Sequence, residues 1–444
     1  MRTPRSGSAL APSRCRGCAI RAAAAGGGAG IAGVLERVVG VVVIGVLLAG
    51  CQPRQAIPAG ERSGASLSAV ALLGAGSDLA GFERALQPLP LELPRDHGPH
   101  PRFRNEWWYF TGVLQTRADT PPRRRFGYQL TIFRQGLEPH PAPRASAWAT
   151  ANLYMGHLAI SDLDGDPRRP RFHAYQRFAR DGLDLAGARA APFEVWVDDW
   201  RVAGAAAGTE TFPLALRARA AAGDEPAGAA EVLGVPEASL ALEVSAGRGP
   251  ILQGDRGLSQ KGPRPGDASY YHSFTRLPTQ GTLTIGGQPF AVSGTSWLDR
   301  EWSTGALDAA LVGWDWLGVE LDDGRDVMVY RLRTAEGVVT SQSRATLIDP
   351  DGRTHLFGPE SFTFSPVGEW RSADGRARYP AAVRLRIPAA AVDLAVTPAL
   401  ADQELDLAIR YWEGAVAVTG VEGGHAVTGS GYLELTGYAE AGAR

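Results

Sequence analysis

From Asn105 onward the chain alternates apolar and polar positions with a period of two, the spacing of a strand that buries one face. The run EWWYFTGVL at 106–114 is aromatic and β-branched, and FGYQLTIFR at 126–134 alternates over most of its length. Residues 151–162 give a third strand ending in an Asp164-Gly165 turn, and 173–178 and 193–197 add two more. The second half continues in the same style. Residues 282–285 and 290–293 flank Gly286-Gly287, and 311–321 and 326–333 flank Asp323-Gly324. Both pairs are hairpin signals, because these residues accept the positive φ of a tight turn. Further strands are predicted at 339–348, 382–386, 405–411, 415–419 and 431–437, and no long stretch carries the period of an amphipathic helix. Many short strands between Gly and Asp turns predict an all-β sandwich or barrel, in number enough for about two domains. The boundary is expected between Leu277 and Gly281, dividing 96–279 from 280–440.

Ahead of the strands the pattern is different. Residues 1–36 are rich in Ala, Gly and Arg, and an uncharged apolar run from Val38 to Leu48 follows Arg37. That run is shorter than the ~20 residues of a bilayer-spanning helix, so 1–50 reads as a signal peptide. It ends in Leu48-Ala49-Gly50-Cys51, which resembles the bacterial lipobox. The resemblance implies lipidation of Cys51 and an exported, periplasm-facing lipoprotein anchored to a membrane by acyl chains. Gln52 rather than Asp after the cysteine implies the outer membrane. Cleavage there removes Cys15 and Cys18 and leaves Cys51 as the one cysteine, which excludes an internal disulfide. Residues 51–95, rich in Pro, Gly, Ala and Ser, read as a flexible tether with a short helix around Leu67 to Leu73.

Composition narrows the function by exclusion. The 444 residues are 44% hydrophobic, ample for a core, and a formal net charge of -2 offers no basic stripe for nucleic acid. The histidines at 97, 100, 140, 157, 173, 272, 355 and 425 show no zinc-ligand spacing, and Gly429-Ser430-Gly431 lacks the pattern of a nucleophile elbow. No metal or organic cofactor is expected. His97 and His100 lie in a Pro-rich stretch and read as surface groups, and His157 reads as a core histidine. Trp107, Trp108 and Tyr109 read as barrel core. Gln129 and Arg134 read as exposed by default, with a cavity-facing position open to one of them, whereas Arg256 and Lys261 sit in a Gly-flanked loop open to an anionic group or to internal ion pairs.

The stretch SWLDREWS at 296–303 gathers the most chemistry in one place. Trp297 and Trp302 enclose Asp299, Arg300 and Glu301, and in a strand the two acids share one face while Arg300 takes the other. A charged surface ladder and a charged pocket floor both fit.

Taken in order, EWWYFTG at 106–112, GHLAISD at 156–162, RGLSQKG at 256–262, YYH at 270–272, SWLDREW at 296–302, GWDW at 313–316 and VYRL at 329–332 resemble the AttH family. That family is related to the bacterial carotenoid 1,2-hydratases and to fungal kievitone hydratase. The resemblance runs from about Asn105 to Tyr438 and implies two lipocalin-like (calycin-type) barrels packed side by side, with interiors able to hold one small ligand. Hydratases of this kind add water to an isolated alkene, which takes a strong proton donor and stabilisation of a carbocation. An acid kept neutral by an apolar pocket supplies the first, and aromatic faces supply the second. The resemblance implies Asp299, Glu301, His272 and Tyr330 as catalytic candidates, with Trp297, Arg300, Trp302, Trp314, Trp316 and Tyr271 as ligand contacts. It also sets Arg300 where the carotenoid hydratases carry a proton-transfer histidine in an Asp-His-Asn-Trp segment, and Leu332 where their Tyr-x-Asp pair ends in an acid. Arginine stays protonated near neutrality; His272 with Asp299 or Glu301 is another acid/base pair that fits, beside the reading of His272 as a hydrogen-bonded histidine at the domain junction.

The leading expectation is therefore a membrane-tethered lipocalin-like protein that binds a hydrophobic small molecule and hands it over, partnered by ABC transporter components such as those encoded beside AttH proteins. The alternative is a hydro-lyase or isomerase acting on a lipophilic alkene, with Asp299 or Glu301 as the acid.

Overall fold

A computed structural model of the chain describes Val70 and residues 79–118, 123–141, 146–204, 211–220, 237–308 and 310–439. The signal peptide, Cys51 and most of the expected tether and helix lie outside the described residues. Within them the first sheet is built from β1 (Asn105–Thr116), β2 (Arg125–Gly136), β3 (Asn152–Asp162), β4 (Phe172–Arg180), β5 (Ala186–Ala190), β6 (Phe193–Val197), β7 (Trp200–Ala203), β8 (Leu214–Ala220), β9 (Ala238–Val244), β10 (Arg248–Leu252), β11 (Leu258–Gln260), β12 (Ala268–Ile285) and β13 (Gln288–Ser303). The second is built from β14 (Leu311–Leu321), β15 (Asp326–Thr334), β16 (Arg344–Ile348), β17 (Thr354–Phe357), β18 (Thr363–Arg371), β19 (Arg378–Ile387), β20 (Val392–Pro398), β21 (Glu404–Asp406), β22 (Arg410–Glu422) and β23 (His425–Thr436).

The first sheet runs β4-β3-β2-β1-β13-β12-β9-β8-β7-β6-β5, with β10 and β11 on the free part of β12, and its end strands β4 and β5 come back into contact. The second runs β17-β16-β15-β14-β23-β22-β20-β19-β18, with β21 on β22. Each sheet curls around its own apolar side chains into a barrel-like domain. Trp108, Phe110, Tyr128, Leu130 and Trp200 fill the first, and Leu317, Val329, Leu385, Trp412 and Leu433 fill the second. The barrel interiors, expected to offer ligand space, are packed with side chains.

The change of sheet does not come at 277–281. That segment lies inside β12, which continues to the Gly286-Gly287 hairpin (φ 57° and 76°) and returns as β13. The first barrel therefore runs through Ser303, and the passage to the second occupies 304–310. The long β12 serves both faces of its sheet by means of a bulge. Thr275 and Arg276 together stand opposite Trp297, and Arg276 adopts φ 52°. The extra residue reverses the alternation. Before it, Tyr271 and Ser273 point towards the second barrel; after it, the odd positions Leu277 and Leu283 point into the first core.

The expected tether also ends earlier than Arg95. Phe82 and Ala85 are buried, Arg84 pairs with Asp267 at 2.8 Å, and a 3-10 turn at Arg95–His97 seats Asp96 and His97 in the interior. His97 stacks among Phe193, Phe212 and Phe274, so the surface reading of this Pro-rich stretch does not hold.

Candidate functional site

The outer faces of the two barrels meet, and their strand registers align the meeting residues in rows. Across β12, β13, β1, β2 and β3, one row reads Ser273, Asp299, Tyr109, Thr131 and His157. The row beside it reads Tyr271, Glu301, Trp107, Phe133 and Met155. From the second sheet, Tyr330, Trp316, Glu434 and Glu413 form a row across β15, β14, β23 and β22. Trp314, Thr436 and Tyr411 lie beside them. A cavity of about 110 Å³ lies between these walls, with Lys261 reaching in from the loop after β11. Hydrogen bonds cross from wall to wall, Gln129 Nε2 donating to the Tyr411 hydroxyl (3.1 Å) among them. Tyr109 donates to Glu413 Oε1 (2.6 Å), Trp316 Nε1 donates to the Tyr271 hydroxyl (3.0 Å), and His157 Nδ1 shares a hydrogen with the Tyr411 hydroxyl (2.7 Å).

Four carboxyl groups line this otherwise aromatic space: Asp299, Glu301, Glu413 and Glu434. They do not share one environment. Burial raises Asp299 to about 6, and donors from Ser273 (2.6 Å), Tyr271 (2.5 Å) and the Trp297 indole (2.7 Å) keep it from rising further. Glu413 and Glu434 stand directly opposite each other on β22 and β23. Burial, opposed by the donor Trp314 Nε1 (3.1 Å) and reinforced by the Asp299 and Glu301 charges, pushes Glu434 up to about 8. Burial and the neighbouring Glu434 push Glu413 well above the usual carboxylate range. Glu301 accepts from Ser269 and pairs with Lys261 at 3.4 Å, whose ammonium lies 3.9 Å from the centre of the Tyr330 ring. Near neutrality the site thus holds protonated acids on one wall and an ionised acid on the other. Environments that push like groups apart in this way define acid and base roles.

The family model described as AttH-like matches residues 84–438. This chain belongs to the AttH-like family. Among solved structures, an AttH protein from Nitrosomonas europaea is similar at TM-score 0.66 and 34% identity, over 81% of this chain and 100% of that one. Kievitone hydratase from Nectria haematococca shares the fold at TM-score 0.57 and 15% identity, over 80% of this chain and 98% of that one. No curated protein matches. The likeness agrees with the sequence resemblance and with an all-β chain of two lipocalin-like barrels, and the family match covers the cavity walls on both sides.

In this AttH-like chain, strand alternation sorts the expected site residues. Asp299, Glu301, Tyr330, Tyr271, Trp314 and Trp316 line the cavity, and Trp297 stands behind Asp299 as its donor. SWLDREWS is therefore a pocket wall on its odd-numbered face. Arg300, Trp302 and His272 occupy the opposite face, away from the acids. Arg300 is fully buried and donates to Glu106 Oε1 (2.7 Å) and to the carbonyls of Gly98 (2.9 Å) and Trp107 (2.5 Å). Glu106 also accepts from Arg134 (3.0 Å) and His100 (2.7 Å). Burial alone would raise the Glu106 carboxyl, but Arg300, His100 and Arg134 hold it well below the usual range. Trp302 stacks on His100 at 3.7 Å, and His272, paired across the strands with Arg300, is driven well below its ordinary value by burial and the Arg300 charge. Arg300 and Trp302 thus do not face this cavity, and His272 cannot partner Asp299 or Glu301 in it, because residues of opposite parity leave a strand in opposite directions.

The cavity also brings in residues that sequence reasoning left out or placed elsewhere. Glu413, Glu434 and Tyr411 had no assigned role, Tyr109 was expected in a barrel core, Gln129 by default at the surface and His157 in a core, yet all line the same space. Arg134, by default a surface group, is instead buried and paired with Glu106. Lys261 takes the internal ion-pair option, while Arg256 stays exposed and pairs with Asp255.

Proposed function

We propose that this AttH-like protein adds water to, or removes it from, a lipophilic small molecule held between the barrels, at a carbon–carbon double bond. The observation that carries this reading is the Glu413–Glu434 pair, two directly opposed carboxyl groups kept protonated in an aromatic cavity across from an ionised Asp299. Tyr109 occupies Glu413 Oε1, so Oε2 is the atom left free to donate. Its proton and the alkene electron pair form the new C–H bond, which leaves a cation on the neighbouring carbon. The faces of Trp314 and Trp316 stabilise that cation, a desolvated contact of this kind contributing ~2 kcal/mol or more. A water oxygen bonds to the cation and loses its surplus proton to Asp299. The sum is alkene plus water to alcohol, and proton return from Asp299 to the glutamate pair resets the site.

The fold shared with kievitone hydratase supports this reading at the level of architecture. The test uses the molecule extracted from protein purified out of its native membrane, incubated with enzyme in ¹⁸O-water. Wild type should install solvent oxygen in that molecule, and Glu413→Gln, Glu434→Gln and Asp299→Asn should bind it without installing any. A wild type that retains the molecule and never exchanges oxygen removes the enzymatic reading. Binding and handover without chemistry is the second reading, favoured by the saturation of Asp299 with three donors and of Glu301 with Ser269 and Lys261. Under either reading the lipobox at 48–51 supports an outer-membrane tether through Cys51 facing the periplasm, with ABC transporter components as the partner for handover.

A further inference from the structure

Two buried polar atoms at one end of the cavity have no hydrogen-bond partner among the described residues. They are Gln129 Oε1 and His157 Nε2, both on side chains that line the cavity, from the adjacent strands β2 and β3. Both residues are essentially unexposed, and an unpaired polar atom at such a position costs about 1–3 kcal/mol. A protein gains nothing by building such a pair into a wall of Phe133, Met155 and Ile409 unless something pairs with it.

The hydrogens available at this end can be counted. The Tyr411 hydroxyl accepts from Gln129 Nε2 at 3.1 Å and shares one hydrogen with His157 Nδ1 at 2.7 Å. Burial holds His157 down to about 3, so its ring is neutral and carries one hydrogen. If the Tyr411 hydroxyl donates to Nδ1, that hydrogen sits on Nε2 and has no acceptor. If Nδ1 donates to the phenol oxygen instead, the phenol hydrogen is the one left over. Either way one donor is unused, beside an unused amide acceptor. A group that both accepts and donates satisfies the two together, and a hydroxyl is the smallest that an organic ligand can offer.

We propose that Gln129, His157 and Tyr411 form a polar subsite that recognises a hydroxyl group on an otherwise apolar ligand. The inference rests on the reading of the interbarrel cavity as a ligand site, and it names the polar end of that ligand. The strand register also gives the distance between the two ends. His157 and Asp299 lie in one row, three strand spacings apart, which is roughly 14 Å. The ligand class is therefore a hydroxylated lipid, with its hydroxyl in the His157 end and its hydrocarbon body passing the acids of the second wall.

The probes are medium-chain 1-alkanols and the n-alkanes of matching length, titrated into the protein and followed by the fluorescence of Trp107, Trp314 and Trp316, which line the cavity. Wild type should bind the best-fitting alcohol at least tenfold tighter than its alkane. His157→Phe and Gln129→Leu should each lose that preference while binding the alkane as well as or better than wild type, which also shows the cavity intact. Equal or undetectable binding of alcohol and alkane by wild type overturns the subsite, as does a preference that survives both substitutions. Loss of oxygen exchange in Glu413→Gln with the alcohol preference unchanged would concern the chemistry alone. No oxygen exchange in wild type together with a clear alcohol preference would overturn the enzymatic reading and leave the subsite standing.

Discussion

At the residue scale the site is a contrast between carboxyl groups of the same kind. Asp299 at about 6 carries charge near neutrality, while Glu434 at about 8 and its partner Glu413 do not. If the pair donates and Asp299 accepts, turnover needs a pH above the first value and below the second, so the rate should follow a bell with limbs near about 6 and about 8. Asp299→Asn should remove the acid limb and lower the rate on the order of 10²-fold or more; an unchanged limb would assign it to another group. The same shifts bear on stability. A carboxyl whose folded value is raised holds its proton longer in the folded protein, so its contribution is fully present below about 4.5 and is lost as pH rises through about 8. Glu434→Gln should therefore melt higher than wild type in alkaline buffer and gain nothing in acid, which thermal denaturation at the two extremes would check. Half of this site was legible in the sequence. Asp299 and Glu301 stand out because they sit three-in-a-row with Arg300 between tryptophans. Glu413 and Glu434 look like stray charges in apolar strands. Their signal is the aromatic residue two positions earlier, Tyr411 and Tyr432, which puts an acid and a ring on one strand face in two neighbouring strands.

At the scale of elements, the β12 bulge is what lets one strand serve both a barrel core and the cavity wall. Arg276 also ties it to the second barrel. Its amide donates to Glu320 Oε1 (2.7 Å), and its guanidinium reaches the carbonyls of Leu321 (2.6 Å) and Arg325 (2.7 Å) and pairs with Asp326 at 2.7 Å. Arg276→Gly and Arg276→Val both lose the guanidinium contacts, but glycine keeps a φ of 52° without strain and a β-branched residue does not. Valine should cost about 1–3 kcal/mol more than glycine in denaturant unfolding. Equal costs would mean that the contacts, and not the backbone, hold the bulge. Pattern reading found the strands with strong contrast and both named hairpins, yet placed a domain boundary inside β12, because a long strand with a parity reversal looks like two strands and a linker. It passed over β8 and β9 for a different reason. In LALRARA and ASLALEV the residue types do alternate, but alanine stands on both faces and flattens the contrast. The predicted strand 405–411 splits into β21 and the start of β22, since an Arg410–Glu404 pair (2.8 Å) closes a tight turn that apolar content does not reveal.

At the scale of the whole molecule, the acid-lined cavity lies between the barrels and not within them. The residues that fill the first interior, Trp108, Tyr128, Trp200 and their neighbours, are large and unexposed, whereas the cavity wall is assembled from strands of both sheets. Stability and binding should then separate by location. Leu130→Ala, deep in the first barrel, should cost about 2–5 kcal/mol through lost packing and the void it leaves. It should still be stabilised by a bound 1-alkanol as strongly as wild type is. Ala306→Phe, at the cavity wall, should do the reverse. Its ring would occupy the space a ligand needs, so the thermal shift produced by the alkanol should vanish while the unliganded melting temperature changes little. Because a ligand at fixed concentration raises stability by an amount set by its affinity for the folded state, the stability gain compared at one temperature separates binding from each variant's own stability. A Leu130→Ala protein that loses its alkanol shift, or an Ala306→Phe protein that keeps it, would move the ligand inside a barrel and undo the assignment of the acids on the facing walls.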